Sequence, residues 1–171
     1  MSALCSNGGI KKRRTDLHFC SSETYVDNSS QTNVNWSQAK ATELAEFMDT
    51  WGTAMNQTYT SYQPGATGSM YGPSFPTEVM SNLAVNGEFV PSFWSYDGIS
   101  DGEYAIVAAY SDYESIEQFE RFPHFYLFAI VNDQPVVLHS QQNQGQPDGL
   151  IHFNPTDNHE LQAAFEELVW N

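Results

Sequence analysis

Residues 124–140 constrain this chain more than any other stretch. From His124 to Val131 almost every side chain is apolar, aromatic or β-branched. Asn132-Asp133 interrupts the run, and Pro135 to Ser140 resumes it. This pattern predicts a β-hairpin. Along its first arm both alternating sets are apolar, Phe125/Leu127/Ala129/Val131 and Tyr126/Phe128/Ile130. A half-exposed strand needs only one such set, so this strand is expected to be central and covered on both faces. Asn-Asp accepts a tight turn less readily than Asn-Gly, and Pro135 cannot donate to a ladder, which leaves the register of the two arms open.

Around the hairpin the reading is of one domain. Residues 1–34 mix Ser, Asn, Thr, Gly and charge without apolar periodicity. Such a segment cannot offset its ordering entropy by burial, so a disordered leader or tether is expected there, with a single domain over 35–171. Asn35 and Gln38 have the spacing of a capping box. The apolar positions Leu44, Phe47, Met48, Trp51, Met55, Tyr59 and Tyr62 then follow at intervals of three or four, predicting a long helix that Pro64-Gly65 stops. Aromatic residues at this spacing read as core rather than as a cofactor box, and no cofactor is expected.

A short helix is expected from Pro76, an irregular or edge strand around Pro91, and a strand over residues 104–110 with Ala105, Val107 and Ala109 on one face. A polar turn or short helix around Ile116 and Phe119 leads into the hairpin. After the hairpin come an amide-rich loop, a last strand at residues 150–153, and a final helix with a capping box from Asp157 to Glu160 and a stripe of Leu161, Ala164, Phe165, Leu168 and Val169. The class is α+β: an antiparallel sheet of four to five strands, with a long N-terminal helix and a C-terminal helix packed against it.

Charge narrows the partners. Four of the six basic residues are Lys11, Lys12, Arg13 and Arg14. Residues 15–171 hold only Lys40 and Arg121 against 21 acidic residues. A surface so negative repels phosphate, which argues against nucleic acid and against anionic lipid headgroups. A cationic ligand or simple solubility fits that charge better, and solubility is the plainer use. Cys5 and Cys20 both lie in the polar leader, so a core disulfide is excluded. No stretch is long and apolar enough to span a membrane, and no signal peptide is expected in the sequence as written.

Motifs that would name a chemistry are missing or partial. Neither a phosphate-binding glycine loop nor a dinucleotide fingerprint is present, and Gly68-Ser69-Met70-Tyr71-Gly72 lacks the central serine of a nucleophile elbow. His159-Glu160 begins a zinc-protease motif, but Ala163 stands where the second histidine belongs. Asp97, Asp101 and Glu103 share a turn whose spacing departs from a calcium loop. His139 and His152 are the candidate metal ligands, on neighbouring strands with a loop carboxylate as third donor. Residues 140–147 carry a run of amides, of which Gln142 and Asn143 are candidate ligand-binding residues. Trp94 and Tyr96, with Tyr110 or Tyr126, are candidates to stack there. Amides with aromatic rings can hold a sugar or a peptide backbone.

The segments Trp51-Gly52-Thr53-Ala54-Met55-Asn56-Gln57-Thr58-Tyr59, Val136-Val137-Leu138 with Gln142-Asn143-Gln144-Gly145, and Phe153-Asn154-Pro155-Thr156-Asp157-Asn158 form a recognisable order. By these pieces the chain resembles an uncharacterised domain of lipoproteins from lactic acid bacteria, over about residues 35–169. The family carries no assigned catalytic residues, so none are transferred. The resemblance implies an extracytoplasmic address in the cell envelope, with membrane contact through a lipidated cysteine. At that site the sequence departs, since Leu4 and Phe19 precede Cys5 and Cys20 where a small residue is wanted. The expectation is a monomeric, non-catalytic binding or accessory domain for an extracellular ligand or protein. The alternatives are a metal-assisted hydrolase using His139 and His152, and a small apolar-ligand carrier.

Overall fold

A computed structural model describes residues 35–117 and 121–171. The expected leader, Cys5, Cys20 and Phe119 lie outside the described residues. Helix α1 (Gln38–Ala54) is followed by β1 (Thr60–Tyr62), α2 (Thr77–Ser81), β2 (Leu83–Val85), β3 (Glu88–Phe89) and β4 (Ser92–Trp94). Then come β5 (Tyr104–Ser111), β6 (Phe125–Val131), β7 (Gln134–Ser140), β8 (Ile151–Pro155) and α3 (His159–Trp170).

The hairpin is the centre of the sheet. Asn132 and Asp133 take φ of 50° and 61°, the left-handed pair of a two-residue type I′ turn, and Val131 pairs with Gln134 across it. That fixes the register left open by the sequence: Phe128 opposes Val137 and Tyr126 opposes His139. Both faces of β6 are covered, as its composition requires. Phe125, Leu127 and Ala129 enter one core with Tyr62, Met70, Phe75, Val79 and Leu83. Tyr126, Phe128 and Ile130 enter another with α1 and α3, through Leu44, Met48, Trp51, Leu161, Phe165 and Val169.

The sheet is larger than expected and not purely antiparallel. Its order is β1-β5-β6-β7-β8-β2-β3, with β4 on β5 as an eighth strand. The pairs β4/β5 and β2/β8 are parallel. The additional strands are two or three residues long, too short to show a period-2 pattern, and their pairing is supplied by distant segments. Strand β5 shares one edge between two partners, with Tyr104 to Ile106 beside β4 and Ala109 to Ser111 beside β1.

Several local expectations are corrected. Helix α1 ends at Ala54 instead of running to Pro64. Gly52 is buried, and its carbonyl accepts from Gln57 N at 2.8 Å as Asn56 turns to a φ of 55°. Tyr59 and Tyr62 kept the three-or-four spacing because the chain doubles back, half-burying Tyr59 and burying Tyr62; Tyr59 stacks on Trp51 at 5.5 Å. Ser37, not Asn35, caps α1, and Asn158, not Asp157, caps α3. On β5 a bulge between Ile106 and Ala108 shifts the alternation. Ile106 and Ala109 therefore face one core, and Val107, Ala108 and Tyr110 the other.

Two polar side chains finish the packing of α3. Lys40 Nζ donates to the Val169 carbonyl at 2.8 Å, placing a cation at the negative end of the helix. Gln162 accepts from Val137 N at 2.8 Å and donates to the Pro135 carbonyl at 2.9 Å. Among the described residues no strand lies beside this stretch of β7, since β8 pairs with Leu138 and His139 alone. The Gln162 amide takes the place of a strand at that point.

Candidate functional site

Two polar arrangements flank the end of the hairpin. The first is a histidine pair on the α1 face of the sheet. Counting back from the turn, His139 stands opposite Tyr126 and His124 is its diagonal neighbour. His124 Nδ1 and His139 Nε2 meet at 2.9 Å. Their rings and that of Tyr126 stack, with His139 4.8 Å from Tyr126. One imidazole donates and the other accepts, so both rings cannot carry two protons and keep the contact. Behind them Asp112 is fully buried. It accepts from His124 N at 2.7 Å and forms an ion pair with Arg121.

Burial, then the proximity of His124, pushes the His139 imidazole down to about 4, against the opposing charges of Asp112 and Asp157. Burial also lowers His124. Burial raises the Tyr126 phenol to about 12. A histidine whose folded pKa lies below its unfolded 6.5 makes the unfolded chain bind protons first as pH falls. Stability is therefore full above pH 6.5 and declines as pH falls from 6.5 towards 4. The loss is expected to be on the order of 1 to 2 kcal/mol, since water reaches part of the ring and weakens the effect. Urea melts across this range read it directly, and His139→Gln flattens the dependence.

The second arrangement is a pocket of about 180 Å³ between the loop after β7 and the loop before α2. Its wall includes the amides Asn82, Gln142, Gln144 and Gln146 over an apolar floor of Met70, Leu150 and Ile151, with Tyr71 at its side. Among the described residues no Asp, Glu, Lys, Arg or His lines it, although the chain carries 21 acidic residues. Gln142 holds the loop in shape: it accepts from His152 N at 2.8 Å and donates to the Gln144 carbonyl at 3.0 Å. The side-chain amides of Gln144 and Gln146 have no hydrogen-bond partner among the described residues.

Tyr71 is held in the left-handed region, with φ 52°, in a turn tied by Met70 N to the Pro73 carbonyl at 2.9 Å. For a bulky side chain that conformation costs about 1 to 2 kcal/mol. Its ring remains 43% exposed and rests edge-on against Tyr113 at 5.5 Å.

The sequence candidates distribute as follows. Gln142 lines the pocket and Asn143 is exposed beside it. Trp94 and Tyr96 form their own edge-to-face pair at 6.5 Å on and after β4, and neither lines this pocket. His139 pairs with His124. His152 is bonded to Asp148 at 2.9 Å. Among the described residues no group of three or more His, Cys, Asp or Glu is placed to hold a metal ion. Asp97 spends its carboxylate on Ile99 N and the Ser95 hydroxyl, which lower its pKa. Tyr71 and His124 were missed. The tight turn at Asn132-Asp133 would have paired the histidines had the register been fixed, and Gly72 marked the turn that presents Tyr71.

Among the described residues no helix is long and apolar enough to cross a membrane. No curated protein and no solved structure shows a significant match to the chain. A family model does: it matches residues 33–169, the whole of the domain just described apart from its last two residues. The protein is thus a member of the family described as the domain of unknown function DUF4767.

Proposed function

We propose that this protein is a non-catalytic binding or accessory domain on the outer face of a Gram-positive cell, taking a neutral, hydrogen-bonding ligand. One observation carries the reading: an acidic chain builds a pocket lined, among the described residues, by four amides and by no ionised side chain. Amides donate and accept without titrating, so they suit hydroxyl and amide groups and give no preference for charge. Two of those amides, Gln144 and Gln146, are exposed and uncommitted within the described residues. The extracytoplasmic address is taken from the resemblance to lipoprotein domains, and the negative exterior suits a domain that must stay dispersed.

The test is cosedimentation of the purified domain with insoluble cell walls from a lactic acid bacterium. Wild type is expected to pellet with the walls as fully at about 0.5 M salt as at 0.05 M, because neutral contacts are not screened. Gln144→Ala/Gln146→Ala is expected to stay in the supernatant with an unchanged circular dichroism spectrum. Wild type remaining soluble, or the double variant pelleting equally, defeats the proposal.

A further inference from the structure

We infer that the amide-lined pocket receives a single uncharged sugar ring, with Tyr71 as the surface on which it stacks. This rests on the binding reading above and adds the class of ligand. Size is the first argument. At about 180 Å³ the pocket is below the roughly 300 to 1,000 Å³ of sites for drug-sized molecules, so its occupant is one ring or one residue-sized group.

Shape and chemistry are the second. A pyranose has an apolar C–H face and a rim of hydroxyls. The pocket offers the same two things: Tyr71 with Met70 and Ile151 as apolar surface, and the side-chain amides of Asn82, Gln144 and Gln146 as polar rim. Asn82 gives one amide proton to the Glu78 carbonyl at 3.0 Å and keeps its carbonyl oxygen. A peptide backbone would instead seek an extended run of main-chain donors and acceptors along a strand edge.

Third is the cost of holding Tyr71. A tyrosine in the left-handed region, exposed yet braced by Tyr113, is conformational strain at a surface position. Glycine would satisfy that backbone better and leave the ring out. Strain of this sort at a pocket mouth points to the ring itself as the thing retained.

Titration of the ¹⁵N-labelled full chain with methyl N-acetylglucosaminide, glucuronate, glucosamine and a capped neutral dipeptide tests this. The neutral glycoside is expected to shift amides of residues 70–72, 142–146 and 148–151, with a dissociation constant on the order of 1 mM for so small a ligand. Glucuronate, glucosamine and the dipeptide are expected to leave them unmoved. Gln146→Ala is expected to weaken binding about fivefold to tenfold. Tyr71→Gly relieves the backbone, so it is expected to keep or raise the melting temperature while abolishing the response. Wall binding with no response to the glycoside overturns the sugar assignment and leaves the binding reading standing. Response to the dipeptide, or undiminished sugar binding by Tyr71→Gly, also overturns it.

Discussion

Arg121→Met is expected to cost the domain about 3 to 5 kcal/mol, the range for stranding a buried charge. Asp112, its partner, is fully buried. One carboxylate oxygen keeps the hydrogen bond from His124 N at 2.7 Å, but the other loses its only counter-charge in the described structure. Deleting the other member is milder. In Asp112→Ala the remaining guanidinium is 35% exposed and can be hydrated, leaving mainly the unpaired His124 N–H, for about 1 to 3 kcal/mol. The asymmetry is the informative part. Urea unfolding of the two single variants and of Arg121→Met/Asp112→Ala gives the coupling, and the double variant is expected to be more stable than Arg121→Met alone. Equal costs for the two single variants would mean that Asp112 is not buried as described.

Phe128→Ala carries the second large effect, about 3 to 5 kcal/mol from lost transfer energy and from the cavity left behind. Phe128 is fully buried at the middle of β6, edge-on to Phe165 of α3 at 5.1 Å and to Tyr110 of β5 at 5.7 Å. It joins helix, central strand and neighbouring strand, so few atoms can relax into the space. A domain of this size is stable by roughly 5 to 15 kcal/mol, and the variant therefore unfolds at a much lower urea concentration with little change in slope. Phe89→Ala is the contrast, since Phe89 is 57% exposed on the edge strand β3 and is expected to stay within about 0.5 kcal/mol of wild type. A small effect at Phe128 would show that β6 does not lie between two packed layers.

How far the sequence could be read depends on where the information is local. The double apolar pattern of β6 was legible because each side chain reports its own burial. The α3 stripe of Leu161, Phe165 and Val169 was legible for the same reason. The length of α1 was not, because Tyr59 continues a helical spacing by stacking on Trp51 from outside the helix. The faces of β5 were misassigned because a bulge depends on the partner strand and leaves no mark among seven consecutive apolar or aromatic residues. At the pocket, the amide run was visible in the sequence. Its companions Met70, Tyr71 and Asn82 come from a different part of the chain, and the parallel pairing of β2 with β8 sets Asn82 beside Ile151.

The use of Gln162 against β7 bears on how such a domain behaves when many copies are crowded together. An unfilled row of main-chain donors and acceptors would recruit any extended segment that drifted by and grow into a ribbon. Here one amide from the closing helix occupies that row and, bonded also to Glu166 at 2.8 Å, is fixed in position. Neighbouring molecules thus meet a finished border rather than a template, and high local density need not lead to polymerisation along that margin.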